Sequence, residues 1–459
     1  MSIHKEISFE AEICEHLAAH GWLHAAGDAA RYDRARALFP EDVLAWVQQA
    51  HPAAWDALVK NHGAGAGEAL LTRLRDQLNT RGTLEVLRHG IEMMGLRARL
   101  PLAQFRPAMA ANDEILARYA ANRLRVVRQV HHSVNNPQDS IDLVLLLNGV
   151  PVATAELKTD FTQSVGDAVD QYRYDRNPRP AGKLPEPLLS FPGGALVHFA
   201  VSNHEVHMTT RLEGPATRFL PFNRGNGGGR GNEPNPYGHP TSYLWEQIWE
   251  RDGWLEILGR YMVAERDRKK EISRILFPRF HQLAATRALV AAVRKEGPGG
   301  RYLIQHSAGS GKTNSIAWTA HLLSDLHDAR DNKVFDTVLV VSDRNVIDSQ
   351  LREAVFDFER QTGVVATVSG TSDVTHGFRG SAAAGITSVA QGWNLQDGTD
   401  GMASWRIAHS VPDMTRTARR AARWLRADRI SEASRRAPSG GATREEPSLR
   451  WYSRGSSWC

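Results

Sequence analysis

Two carboxylates and a lysine stand at a spacing that could cut a phosphodiester. Asp142, Glu156 and Lys158 lie in the run S-I-D-L-V-L-L-L-N-G-V-P-V-A-T-A-E-L-K. Paired carboxylates offer the hard oxygen ligands that Mg²⁺ takes. A lysine beside them can orient or deprotonate an attacking water and offset charge in the transition state. A hairpin must bring the three together, and Asn148-Gly149 is a strong hairpin signal. With a loop of residues 148–150, Leu147 faces Pro151, and counting outward sets Asp142 across from Glu156. Opposed residues have β-carbons about 4.5–5.5 Å apart. Alternation turns Lys158 to the side of Glu156. The other side, with Ile141, Leu143, Leu145, Leu147, Ala153, Ala155 and Leu157, is apolar and belongs to a core. Facing carboxylates repel, a pairing sheets avoid unless a divalent cation joins them. The bland alternative is a surface hairpin carrying a Glu–Lys pair and an unrelated Asp.

In spacing and context this segment resembles the P-D/E-x-K nuclease arrangement, with Asp142 and Glu156 as metal ligands. Downstream, D-Q-Y-R-Y-D-R on a following helix offers Gln171 and Tyr174, which also suit a polar helix face. Glu10 or Glu12 on the first helix could add a carboxylate, although helix surfaces carry Glu routinely.

A second constellation is Y-L-I-Q-H-S-A-G-S-G-K-T, which follows a strand and opens a helix, the setting a phosphate-binding loop requires. Gly309, Ser310 and Gly311 let backbone N–H groups turn toward phosphate oxygens. Lys312 would reach the β- and γ-phosphates of ATP, and Thr313 would ligate its Mg²⁺. His306 stands where the first glycine of such loops is usual. Upstream, F-P-R-F-H-Q-L offers Gln282 as an adenine reader. Asp343 and Arg344 follow the strand V-L-V-V-S, the position where open α/β sheets bind ligands. They are candidates for a DNA contact or simply a solvated loop start.

The elements around these sites read as α/β. Residues 6–19, 43–47, 55–59 and 68–78 have helical spacing. From residue 123 the period shortens, with strands predicted at 124–134, 141–147, 150–157, 195–201 and 206–212. Residues 223–241 (NRGNGGGRGNEPNPYGHPT) read as an irregular linker or long loop. Helices follow at 243–262 and 280–295. Strands then alternate with helices from 302 to 358, implying a parallel, helix-covered sheet. The organisation expected is a nuclease domain over 1–222, a loop and connecting helices over 223–262, a partial RecA-like ATP-binding domain over 263–370, and a tail over 371–459. In that tail only 12 of 89 residues are Val, Ile, Leu, Met or Phe. Such a segment buries too little apolar surface to offset its ordering entropy. It reads as a disordered basic arm or as the product of a reading-frame shift, the latter preferred for the abruptness of the change.

Composition excludes several classes. At 459 residues there is room for two or three domains. No apolar run approaches the roughly 18 residues that span a bilayer. Cys14 and Cys459 are the only cysteines, so no disulfide framework is expected and a cytoplasmic location is the default. Of the net charge of +5, all belongs to residues 371–459, which hold 13 Arg, no Lys and 8 acidic residues. Net charge is therefore no argument that the body of the chain binds DNA.

Taken in order, the P-D/E-x-K hairpin, F-N-R-G-N-G-G-G-R-G-N, F-P-R-F-H-Q, Q-H-S-A-G-S-G-K-T and V-L-V-V-S-D-R-N-V-I-D-S-Q-L resemble the R subunit of type I restriction enzymes, over roughly residues 1–368. That resemblance implies Asp142, Glu156 and Lys158 as nuclease centre, Gln171 and Tyr174 as its Gln/Tyr motif, and Gln282 with Gly309, Ser310, Gly311, Lys312 and Thr313 as the nucleotide site of a superfamily 2 helicase motor. It implies Mg²⁺ and ATP as cofactors. Duplex DNA and the methyltransferase and specificity subunits are the implied partners. The departures are the absence of a D-E-x-H type acidic segment after Ser342, of a second RecA-like domain, and of the helical region that docks on the methyltransferase. The chain therefore reads as a C-terminally truncated relative. Two rivals remain: a P-loop DNA motor whose N-terminal domain does not cleave, and a non-functional product of a disrupted gene.

Overall fold

The computed structural model describes residues 2–107, 112–159, 163–227, 229–307, 309–335, 337–342, 365–368, 385–390 and 402–406. The chain forms two compact units, one of residues 1–226 with 230–280, the other of 227–229 with 281–459.

In the first unit, helices Ser2–Ala19, Pro40–Ala50, Pro52–His62, Ala66–Arg81 and Thr83–His89 precede a six-stranded sheet. Its strands are β1 (Leu124–His131), β2 (Ser140–Leu147), β3 (Val150–Leu157), β4 (Val197–Val201), β5 (Val206–Thr209) and β6 (Leu220–Pro221), paired in sequence order. β1, β2 and β3 are antiparallel; β3 and β4 are parallel; β5 and β6 return antiparallel. The parallel step requires a crossover, made by helix Val165–Asp170 and the wider turn Gln171–Asp175. Ser164 caps that helix through a reciprocal pair with Asp167.

The crossover covers one face of the sheet. Ala168, Val169 and Tyr172 pack with Val127, Val130, Ile141, Val144, Leu146 and Ala200. All eight positions of β3 are buried, so helices cover both faces of this strand and not only the apolar one. Each fully buried Val or Leu contributes about 1.5–3 kcal/mol, which explains why the hairpin sequence is almost continuously apolar.

At the edge of this core lies a buried ion cluster. Arg125 donates to both oxygens of Asp42, at 2.6 and 3.0 Å, and to Asp28 at 2.7 Å, while stacking over Phe39. Arg123 adds a bond to Asp42 at 2.8 Å.

The stretch 223–241 is not a free linker. Asn232 accepts from Arg224 N–H and donates to His204 O, and Thr241 donates to Ser202 O, so the loop is tied to the β4–β5 end of the first unit. Residues 243–262 bury Trp245, Trp249 and Trp254 in the same unit. A hairpin of β7 (Val263–Arg266) and β8 (Ile272–Leu276) completes it.

The second unit begins with helix Phe280–Glu296, β9 (Arg301–Gln305), helix Lys312–Ser324 and β10 (Thr337–Ser342). Ala285, Leu289, Val293, Ile304, Leu323, Leu326 and Phe335 form its core. β10, β11 (Val365–Val368) and β12 (Gly385–Ala390) make a parallel sheet with β12 in the middle, and β13 (Met402–Arg406) pairs antiparallel with β9. β12 and β13 carry the second unit beyond residue 370, where the composition predicted its end. The rest of the expected tail over 371–459 lies outside the described residues, as do Asp343 and Arg344.

Candidate active site

The hairpin closes through a tighter turn than the three-residue loop expected. Asn148 and Gly149 both take positive φ, 50° and 80°, and Leu147 pairs with Val150. This is the two-residue turn whose twist suits antiparallel strands. A side chain at Gly149 would meet Phe39 O at 2.4 Å, so only glycine fits. The ladder then shifts at Leu145/Leu146, where a bulge leaves Leu146 paired with Pro151 and Leu145 with Ala153. The shift restores the expected register. Leu143 pairs with Ala155, and continuing that register by one residue sets Asp142 across from Glu156, consistent with the bond from Leu157 N–H to the Asp142 carboxylate.

Asp142 and Glu156 differ sharply in environment. Asp142 is half-buried, and its Oδ2 accepts from the backbone N–H of Leu157 at 2.7 Å. Its Oδ1 accepts from Gln129 Nε2 at 3.1 Å. Glu156 is fully buried. Its Oε1 accepts from Arg176 Nε at 2.7 Å, and its Oε2 has no hydrogen-bond partner among the described residues. Burial, and next the charge of Asp142, pushes the Glu156 carboxyl well above the usual carboxylate range; Arg176 and Lys158 oppose that shift. An unpaired buried acceptor costs roughly 1–3 kcal/mol, so the apolar sheet holds this oxygen at a disadvantage that a cation would relieve.

Lys158 leaves β3 two residues past Glu156, its N–H bonded to Val201 O. Its ammonium lies 3.9 Å from Glu6 on the first helix, a loose pair. Glu10, one turn along that helix, is buried and accepts from Arg128 and, at 2.5 Å, from Gln129. Gln129 therefore bridges Glu10 and Asp142, from a backbone with φ of 47°. Glu12 instead pairs with His239. Among the described residues no three His, Cys, Asp or Glu side chains form a ready metal cluster. Glu10 is occupied by its own donors, and a cation here would draw on Asp142, Glu156 and other oxygens.

On the crossover turn, Gln171 is half-buried and Tyr174 is 65% exposed. The tyrosine packed on the sheet is Tyr172, whose hydroxyl meets Thr154 Oγ1 at 2.7 Å; Thr154 in turn meets His198 Nδ1 at 2.8 Å. His198 is fully buried, and burial lowers its pKa to about 3. Arg176, immediately after this turn, is the residue that reaches the Glu156 carboxylate. Sequence reasoning passed over Arg176 and Gln129. Arg176 stands within the D-Q-Y-R-Y-D-R string already singled out, but nothing in Gln129's neighbourhood signals its role.

In the second unit the glycines expected to cradle phosphate open a helix. Gly309 and Gly311 take φ of 75° and 79°, and Gly311 caps helix Lys312–Ser324. Gln282 is buried and donates to Ser310 O at 3.2 Å and Gly311 O at 2.9 Å, so it braces the loop backbone. His281 contacts Ser310 O as well. Lys312 Nζ donates to His306 O at 3.0 Å, and Thr313 is half-buried. Burial, then His281 and Lys312, depress the His306 pKa to about 4, so the ring in the first-glycine position is neutral near pH 7.

Comparisons with known proteins agree in order along the chain. Residues 109–217 match the family described as type I restriction enzyme R protein N terminus. Residues 281–403 match the SWI2/SNF2 ATPase family. The first match contains Asp142, Glu156, Lys158 and Arg176; the second contains the whole phosphate loop and runs through β12. Comparison with curated proteins gives no match. No helix among the described residues is long and apolar enough to cross a membrane.

Proposed function

We propose, for a chain that belongs to the R-protein family of type I restriction enzymes, that the first unit cleaves duplex DNA with Mg²⁺ and the second binds ATP to drive movement along DNA. The observation that carries the nuclease half is Glu156: a fully buried carboxylate with one oxygen unpartnered among the described residues, across the hairpin from Asp142 and two residues from Lys158.

Asp142 and Glu156 fit a hard divalent cation and would hold it. Bound there, the ion would polarise the phosphate and acidify a water. Lys158 orients that water and balances charge on the phosphate oxygens. Gln129 and the Leu157 N–H fix the Asp142 carboxylate, and Arg176 fixes Glu156. The bulge at Leu145/Leu146 keeps the two acids in register. In the second unit, the N–H groups at the start of helix Lys312–Ser324 receive phosphate oxygens, Lys312 exchanges His306 O for the β- and γ-phosphates, and Thr313 serves the ATP-bound Mg²⁺. Duplex DNA is the substrate, and methyltransferase and specificity subunits are the partners this reading implies. The test is nicking of supercoiled duplex DNA in Mg²⁺ by the wild type and Glu156→Ala. Activity lost in the variant supports the reading; equal activity transfers the cleavage elsewhere and leaves a P-loop motor with a non-cleaving first unit.

A further inference from the structure

We propose that Arg176 is a positioning residue of the nuclease centre, holding the Glu156 carboxylate so that one oxygen is fixed and the other is presented to a divalent cation. The proposal rests on the metal-centre reading above.

Arg176 is nearly buried and uses two arms of its guanidinium on two strands. Nε donates to Glu156 Oε1 on β3 at 2.7 Å. Nη2 donates to the backbone oxygen of Ser140 on β2 at 2.6 Å, two residues before Asp142. One planar group thus ties the carboxylate of one strand to the backbone of the strand that supplies the other. A planar fork fixes direction as well as distance, which a single ammonium does not. The crossover that carries the fork is itself anchored. Tyr172, four residues earlier on the same crossover, is fully buried and bonded to Thr154 on β3. With Oε1 engaged, the oxygen left without a partner among the described residues is Oε2.

Two effects of removing Arg176 oppose each other. Loss of an outer partner that orients a ligand weakens metal binding about 10–100-fold. Loss of a nearby positive charge favours binding. Lysine separates them, because it keeps the charge and lacks the fork.

The experiment is a direct calorimetric titration of Mn²⁺ into the full chain for wild type, Asp142→Asn, Arg176→Gln and Arg176→Lys, with melting curves for each. Asp142→Asn should lose Mn²⁺ binding, Arg176→Lys should bind roughly 10–100-fold more weakly than wild type, and Arg176→Gln should bind more tightly than Arg176→Lys because its lost charge offsets part of that loss. Arg176→Lys decides alone should Arg176→Gln melt below the assay temperature. Wild-type binding by Arg176→Lys overturns the positioning role while Asp142→Asn still reports the metal centre. Wild-type binding by Asp142→Asn overturns the metal centre, and Arg176's role with it.

Discussion

Replacing Gly311 by alanine should damage nucleotide binding more than the same change at Gly309, and the difference can be worked out from their surroundings. Both glycines sit in the left-handed region, at φ of 79° and 75°, where an L side chain costs about 1–2 kcal/mol. At Gly309 that is the whole effect, because an added β-carbon meets nothing within 4 Å among the described residues. At Gly311 it would come 2.5 Å from Gln282 Nε2, the atom that donates to Ser310 O and Gly311 O. Gln282 must swing away, and each bond it gives up is worth about 0.5–1.5 kcal/mol. The total for Gly311→Ala is then about 2–5 kcal/mol, against about 1–2 for Gly309→Ala. At 1.4 kcal/mol per tenfold, those figures weaken a fluorescent ATP analogue by roughly 30–4000-fold and 5–30-fold respectively. A Gln282→Ala background removes the obstacle, so there the Gly311→Ala penalty should shrink to that of Gly309→Ala. Equal effects of the two glycine variants, or no change in the Gln282→Ala background, would refute the reasoning.

Arg125→Met should lower the stability of the first unit by about 3–5 kcal/mol in denaturant titration, because it leaves Asp28 and Asp42 buried without their shared partner. His198, held neutral with its pKa lowered to about 3, takes up a proton on unfolding below its ordinary range near 6.5. Its contribution is therefore lost as pH falls from 6.5 toward 3, by up to about 1.4 kcal/mol per pH unit, and His198→Gln should flatten the dependence of the melting temperature on pH in that window. Ending the chain after residue 370 removes β12, the middle strand between β10 and β11, and should abolish the second unit's melting transition; an unchanged transition would return the reading of a dispensable tail.

What the sequence made legible was chemistry tied to short-range geometry. Asn148-Gly149 announced a hairpin, and the facing of Asp142 and Glu156 followed by counting, although the route was different: a two-residue turn plus a bulge in place of a three-residue loop. The bulge had a signal that the counting did not use: Pro151 has no N–H to give a ladder, and in a strand flanked on both sides it belongs at a bulge. The glycines and Lys312 announced the phosphate loop through the strand and helix around them. What stayed hidden depends on contacts between distant parts of the chain. Arg176 reaches Glu156 across 20 residues and Gln129 joins Glu10 to Asp142, and spacing cannot reveal either. Composition left the Gly-rich 223–241 stretch as either linker or long loop, and only its asparagine and threonine side chains, which fasten it to the first unit, separate the two. It also placed the end of the second unit too early, because a parallel strand such as β12 needs only a short run like Gly385–Ala390 between polar segments.

The most direct test of the account is cleavage of supercoiled duplex DNA by the purified chain in Mg²⁺, comparing wild type with Asp142→Asn. Asparagine keeps the size of the side chain and an oxygen for the Leu157 N–H, so the sheet should stay intact while the charge that faces Glu156 is lost. The account predicts Mg²⁺-dependent nicking by the wild type, stopped by chelation, and none by the folded variant. Undiminished nicking by Asp142→Asn would contradict it.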